Sequence, residues 1–473
     1  MHSSLNVTYS RFNVIRVLPL IFLYISVSIY VLNYTLSASD FSIVFVLSYV
    51  FCYFYLALNG MNYASLYSLY YISFGVFIGG RFIYVFITDS VTGWEVISLS
   101  KLFDLDFLVA SEFSYVQILE TFYLIISWAI LPCVGYLLTS SSNKNLYVHF
   151  STSQIRGAFT LSIVFFIIQL PEQLQAIYLV WSKGYFALYS EFDFSKINQY
   201  SKYFFLLCSA IALTETRCRK WIFILFLING FLSGVTGARG TLITLLFSII
   251  FIAGLFKRIA FFRLVLLLLL LYVILFLLTF LSPRYSESAS FSAFINDLLN
   301  FLYARGGVVG VIGYAMHAVG DIALPLKLGW LFPGLSRIVA LMAGIEITPE
   351  NESISRVISY VANPNAFMNG QGLGSSIISE SYLVTGNIPL ACFLSFLIGI
   401  TLGCYEKYMR YNKIIFMVVI AISPNIFFSV RDSLDSLYML AFKFTLFSLV
   451  LYFFISKCTL FGNRGDYNKW QSY

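Results

Sequence analysis

From Leu264 to Leu281 the chain runs for 18 residues without a charge, and such a run has few places to go. A helix on the core of a water-soluble domain keeps a polar face. By contrast, roughly 20 apolar residues at about 1.5 Å each are what a ~30 Å hydrocarbon layer requires. Inside that layer the backbone finds no water, so a crossing segment is a helix or part of a closed barrel. The pattern recurs near 17–37, 41–59, 64–88, 117–139, 158–181, 197–214, 221–236, 241–256, 261–281, 387–404, 414–430 and 436–456. About twelve spans make an all-α, polytopic transmembrane bundle. Composition agrees, with 59% hydrophobic and 11% charged residues against about 25% charged in soluble domains, and a mean hydropathy of +0.84.

One interruption stands out. Ser282 to Gly374 is polar, carries Arg284, Arg305, Arg337 and Arg356, and ends in Gly370-Gln-Gly-Leu-Gly374. Chains that cross a membrane repeatedly turn in short loops, so a partly helical loop this long is expected to fold and carry function. The division is then 1–281 with nine spans, 282–386 as the large outer loop and re-entry segment, and 387–473 with three spans and a tail.

Charge sets the orientation, because cytoplasmic loops hold the excess of Lys and Arg. With the N-terminus inside, the inner loops and tails collect 16 basic residues against 3 acidic ones, and the rest of the chain holds 13 against 19. Both termini are thus expected in the cytoplasm, with the large loop outside. The net charge of +7 is spread over short loops and forms no stripe, which argues against a nucleic-acid partner. The apolar run after Arg11 and Arg16 lacks a small-residue cleavage site and reads as an uncleaved first helix. All seven cysteines fall in spans or at cytoplasmic ends, so no disulfide framework is implied.

Several polar residues sit where they are costly. Arg81, in the third span beside Gly79 and Gly80, needs a partner or water. Pro171-Glu172 puts a helix breaker next to a carboxylate in the fifth span. The seventh and eighth spans have about 16 apolar residues each, roughly 24 Å of helix, so the Gly237-Ala-Arg-Gly240 turn is expected below the outer surface, with Thr236 or Gly237 opening the next helix. Glu380 lies in a helical stretch that starts after Gly374 and stops at Gly386.

Arg239, Arg305, Arg431 and Glu380 therefore form the candidate constellation on the outer side. A guanidinium fork donates paired hydrogen bonds to phosphate oxygens and would stabilise a departing diphosphate. A carboxylate or imidazole would accept a proton from an incoming hydroxyl, and Glu380, His317, Asp321 and Glu172 are the choices. His2, His149 and His317 are isolated, with no zinc spacing, and no Walker loop is present, so neither a metal nor another cofactor is expected.

These features together resemble the bacterial oligosaccharide repeat-unit polymerases of the O-antigen polymerase or Wzy type. The likeness rests on about twelve spans, one large loop in the C-terminal half, the Gly237-Ala-Arg-Gly240 turn, and the Gly372-x-Gly374 to Glu380 to Gly386 segment entering the next span. The resemblance implies a metal-independent inner-membrane glycosyltransferase that moves a growing glycan from undecaprenyl diphosphate to a new lipid-linked repeat unit. Arg239 and Arg305 would hold diphosphate, with Arg431 in a lesser part; the resemblance leaves the base open, with Glu380 and His317 the foremost catalytic candidates. Donor and acceptor would both be undecaprenyl-diphosphate-linked oligosaccharide, with a chain-length regulator and a flippase as further partners. Some members carry arginines in two outer loops, whereas here the earlier loop, 182–200, has none. A flippase for lipid-linked oligosaccharide or an O-antigen ligase would share much of this architecture, although a transporter would more often show related halves.

Overall fold

The computed structural model describes residues 8–466 apart from 92–97, 105–112, 141–145, 185–186, 188–191, 193–194, 237–238, 282–293, 321, 332–334, 347, 349, 351 and 369–371. Among the described residues every regular element is a helix. Each apolar run of the sequence coincides with one, from Thr8–Asn33 to Leu434–Asp466. Eight described helices are long and apolar enough to cross a membrane, or nine if the bent pair Leu66–Phe77 and Gly80–Asp89 is one crossing. Gly240–Phe256, Phe261–Ile274 and Lys413–Phe428 are shorter apolar helices. The chain is a polytopic helical membrane protein.

Three details depart from the sequence reading. Lys196–Ala212 is a helix of 17 residues but is not among the eight, because Asn198, Ser201 and Lys202 interrupt its apolar face. Leu298–His317, inside the expected outer loop, is among them. The helix expected at 221–236 is Thr216–Val235, 20 residues or about 30 Å, because it also takes in Arg217, Arg219 and Lys220. Long basic side chains reach the polar layer from a helix end, so helicity extends through them. The length of this helix therefore does not force the following turn below the surface. Thr236 closes this helix, its N–H directed at the Gly234 and Leu232 carbonyls, and the next helix is Arg239–Phe256.

The chain divides into two compact units, each assembled from distant parts of the sequence. The first comprises Met1–Asn143, Ser290–Glu406 and Phe428–Tyr438. Its centre is Tyr115–Thr139, opened by a reciprocal Ser114–Gln117 capping box. Protein encloses 83% of the apolar stretch of this helix, against 17% for Ile15–Asn33, whose face is left to lipid. Leu66–Phe77 packs on it through tyrosines: Tyr67 stacks on Tyr136 at 4.3 Å, and the Tyr71 hydroxyl donates to the Ala129 carbonyl at 2.9 Å. Ile388–Tyr408 crosses it at glycines. A Cβ on Gly399 would run into the Pro132 carbonyl oxygen, and one on Gly135 into the Phe396 carbonyl oxygen. Close backbone approach of this kind is how helices gain contact where lipid removes the hydrophobic drive between them. At the end of the crossing, the buried Glu406 accepts the Tyr67 N–H and the Tyr136 O–H, both at 2.8 Å.

The break at Ile78–Gly79 bends the third span by 64°. Gly80 is needed there, because a Cβ would meet the Leu302 carbonyl, and Gly306 lies equally tight on the Arg81 backbone. Arg81 is buried and donates to the carbonyls of Leu102 (3.0 Å), Asp104 and Tyr303 (3.4 Å), with its guanidinium 4.8 Å from the Tyr303 ring. The mid-span cation thus satisfies itself on backbone oxygens and pins Phe294–Arg305 to the bent span.

The second unit comprises Lys144–Ala289, Lys407–Phe427 and Met439–Tyr473. Thr152–Lys183 runs as one helix through Pro171, at the loss of the single bond that proline cannot donate. It packs against Lys196–Ala212, and Thr216–Val235 packs against Arg239–Phe256, where Gly230 admits Leu242. Ser423 donates to Ser248 at 2.9 Å, tying Lys413–Phe428 to Arg239–Phe256.

Candidate functional site

Glu380 stands on a short, well-defined helix, Ile377–Thr385. Ser376 caps it reciprocally with Ser379, and Gly386 ends it in the left-handed region at φ +63°. The stretch of chain leading in is tied by one hydrogen bond and passes near a second residue. Leu373 N–H donates to Ser359 Oγ at 3.1 Å, and Gly374, at φ +75°, lies near the Arg431 carbonyl oxygen. Ser375, Ser376, Ser379, Glu380 and Ser381 are all buried. The serines largely satisfy each other: Ser376 and Ser379 hydroxyls lie 3.1 Å apart, and Ser381 donates to the Ile378 carbonyl at 2.7 Å. Glu380 itself is 0% exposed, on the first turn of its helix, where the dipole favours a carboxylate. A carboxyl taken wholly out of water is costly and is retained where it has work to do.

The helix packs on Val308–His317, Leu324–Leu331 and Tyr115–Thr139. His317 ends the first of these with its Nε2 3.0 Å from the Gln117 carbonyl and 3.2 Å from Thr121 Oγ1. A carbonyl only accepts, so Nε2 carries a proton and the lone pair of the neutral ring is on Nδ1. That atom faces Glu120 at 3.9 Å. Tyr382 sits beside the same carboxylate: burial, with the Glu120 charge second, pushes its phenol up from the usual value. Glu120, Tyr382 and His317 thus form one polar edge next to the Glu380 helix.

The arginines divide. Arg305 ends Phe294–Arg305, half-buried, its guanidinium 5.0 Å from the Phe301 ring. Arg431, also half-buried, lies 5.8 Å from the Phe77 ring, its backbone beside Gly374. Both belong to the first unit, with Glu380 and His317. Arg239 opens its helix in the second unit. Arg356 pairs with Glu352 at 3.1 Å on the exposed face of its helix, a contact of small energetic weight. Glu172 accepts the hydroxyl and N–H of Ser195 and so ties two helices of the second unit together. Asp321, Arg284, Gly237, Ala238, Gly370 and Gln371 lie outside the described residues.

Sequence reasoning passed over Glu120 and Tyr382. The signal for Glu120 was present, since a carboxylate near the start of an apolar span is rare without a role.

A membrane-embedded helical protein with a fully buried carboxylate, on a helix packed against the one that ends in His317, and with half-buried arginines is the class that these features define. Compared with protein families, residues 15–460 match O-antigen polysaccharide polymerase Wzy, and the chain belongs to that family. Curated proteins and solved structures give no match. Membership makes the protein a polysaccharide polymerase with glycosyltransferase-like chemistry, acting on lipid-linked oligosaccharide in a membrane.

Proposed function

We propose that the protein polymerises undecaprenyl-diphosphate-linked repeat units at the periplasmic face of the inner membrane. The observation that carries this reading is the family match over residues 15–460, which spans both units. In the step proposed, the anomeric C–O bond to the donor diphosphate breaks. The glycan passes to a sugar hydroxyl of the acceptor, and the electron pair leaves with the diphosphate. Glu380 takes the hydroxyl proton. Arg305 and Arg431 in the first unit and Arg239 in the second are cations for lipid diphosphate, of which the reaction brings two, one on each substrate. His317 is oriented by the hydrogen bond from its Nε2–H to the Gln117 carbonyl.

Deleting the gene should leave single repeat units on the surface lipid. Loss of a flippase would leave none, and loss of a ligase would leave polymer on its carrier. Complementation with Arg239→Ala should fail to restore polymer at normal protein level. Arg239→Lys should restore little, because an ammonium keeps the charge without the two-pronged donor. Full polymer from Arg239→Ala would remove that residue from the site.

The orientation has its own test. A reporter enzyme active only outside the cytoplasm should work when fused after Gly344 and fail after Arg219. A silent Gly344 fusion would mean that Leu298–His317 crosses the membrane and that Glu380 must be reassigned to the other side.

A further inference from the structure

The second unit holds a polar patch that the reaction scheme does not use. Thr152–Lys183 and Lys196–Ala212 pack antiparallel, and four pairs fix their register: Glu172 with Ser195, Phe166 with Phe205, Phe165 with Phe204, and Ser162 with Ser209. The same register sets Gln173 opposite Asn198 and, one turn away, Gln169 opposite Ser201. From the third helix, Thr216–Val235, Asn229 Oδ1 accepts the Gln173 amide at 2.8 Å. All four amides are buried, Asn198 at 1% exposure.

They are nonetheless poorly satisfied. Gln169 Oε1, Gln173 Oε1 and both Asn198 Oδ1 and Nδ2 have no hydrogen-bond partner among the described residues. Buried polar atoms are almost always paired, and between helices of a membrane protein, where neighbouring lipid offers no partner, leaving them unmet is most expensive. Exchanging the amides for apolar side chains would remove that expense, so their presence points to something that they bind.

The chemistry of the patch selects the ligand. Carboxamides bear no charge and offer donors and acceptors side by side, which is what adjacent hydroxyls of a sugar ring present in return. The charged groups alongside, Glu172 and Lys202, are of opposite sign, and Glu172 already accepts from Ser195, so the patch does not select an anion. Its place is also telling. Asn229 lies about 9 Å of helix before Val235, at the end from which the chain turns to Arg239.

We propose that Gln173, Asn198 and Asn229 form a subsite for the hydroxyl groups of a saccharide in the lipid-linked substrate, in the same unit as the Arg239 turn. The subsite rests on the reading that the protein acts on lipid-diphosphate-linked glycan. It is tested on the full-length protein in nanodiscs, with the lipid-linked repeat unit as substrate and sugar-free undecaprenyl diphosphate as inhibitor.

Asn198→Leu removes an amide that has no internal hydrogen bond to lose, so its thermal midpoint should equal or exceed that of the natural protein. Its KM for the repeat unit should rise at least tenfold with kcat little changed, and inhibition by the sugar-free lipid should be unaltered. Arg239→Ala should weaken that inhibition instead. If Asn198→Leu unfolds at lower temperature, the smaller Asn198→Ser replaces it under the same criteria. An unchanged KM in a stable variant overturns the subsite alone. A natural protein inert toward lipid-linked units would overturn the functional reading, and the subsite with it.

Discussion

Glu380→Gln is expected to abolish polymer while the folded protein remains in the membrane. The amide matches the carboxylate in shape, so the buried serine cluster and the contacts of Ile377–Thr385 with its neighbours survive. What is lost is the capacity to take a proton, and general-base groups typically contribute about 10²–10⁴-fold. Polymerisation of purified lipid-linked units, measured alongside the thermal midpoint, checks both halves. Wild-type polymer from Glu380→Gln would show that the carboxylate is structural and would pass the base to another group. Glu380→Ala is the less informative variant, since it leaves a cavity whose cost would blur the result.

The second large effect is structural. Gly399→Ala places a methyl against the Pro132 carbonyl, which belongs to the backbone of the central helix and cannot rotate away. The two helices must separate, and the cost should reach or pass the upper end of the ~1–3 kcal/mol usual for overpacking. Gly403→Ala makes the informative contrast. Its new methyl meets mainly the Thr139 hydroxyl, a side chain that can turn, so that variant should lose much less. Thermal unfolding in detergent, followed by size-exclusion chromatography, ranks the two. Equal midpoints for Gly399→Ala and the natural protein would mean that the two helices have room for the methyl where they cross.

Helix positions were legible because an apolar run has one way to satisfy its backbone in lipid, and each run became a helix. Helix ends were less so. Arg217, Arg219 and Lys220 read as loop, yet they lie on Thr216–Val235, because charge marks the membrane surface and not the end of hydrogen bonding. Arg81 was visible as a cation needing partners. Those partners are carbonyls of Leu102, Asp104 and Tyr303, and carbonyls carry no sequence signature. The spacing Gly399-x-x-x-Gly403 announces a close helix contact and could have been read, but which helix it meets follows only from the fold. Within the candidate site, Glu380 was marked by the Gly374 and Gly386 turns that bracket its helix. The Glu120–His317–Tyr382 edge joins residues from three separate stretches, and no local pattern links them.

The enclosure of Tyr115–Thr139 has a consequence for how the protein meets different bilayers. Helices with a lipid-facing surface answer a thinner or thicker bilayer by tilting, at a modest cost per ångström of mismatch. A helix shut in by its neighbours along most of its apolar length feels that force only through them. Thr121, 3.2 Å from His317 Nε2, opens this shielded stretch, with Gln117 and the exposed Glu120 on the turn just before it, whereas Ile15–Asn33 presents its face to lipid. Changes in acyl-chain length are therefore expected to tilt helices such as Ile15–Asn33 before they move the enclosed stretch that begins at Thr121.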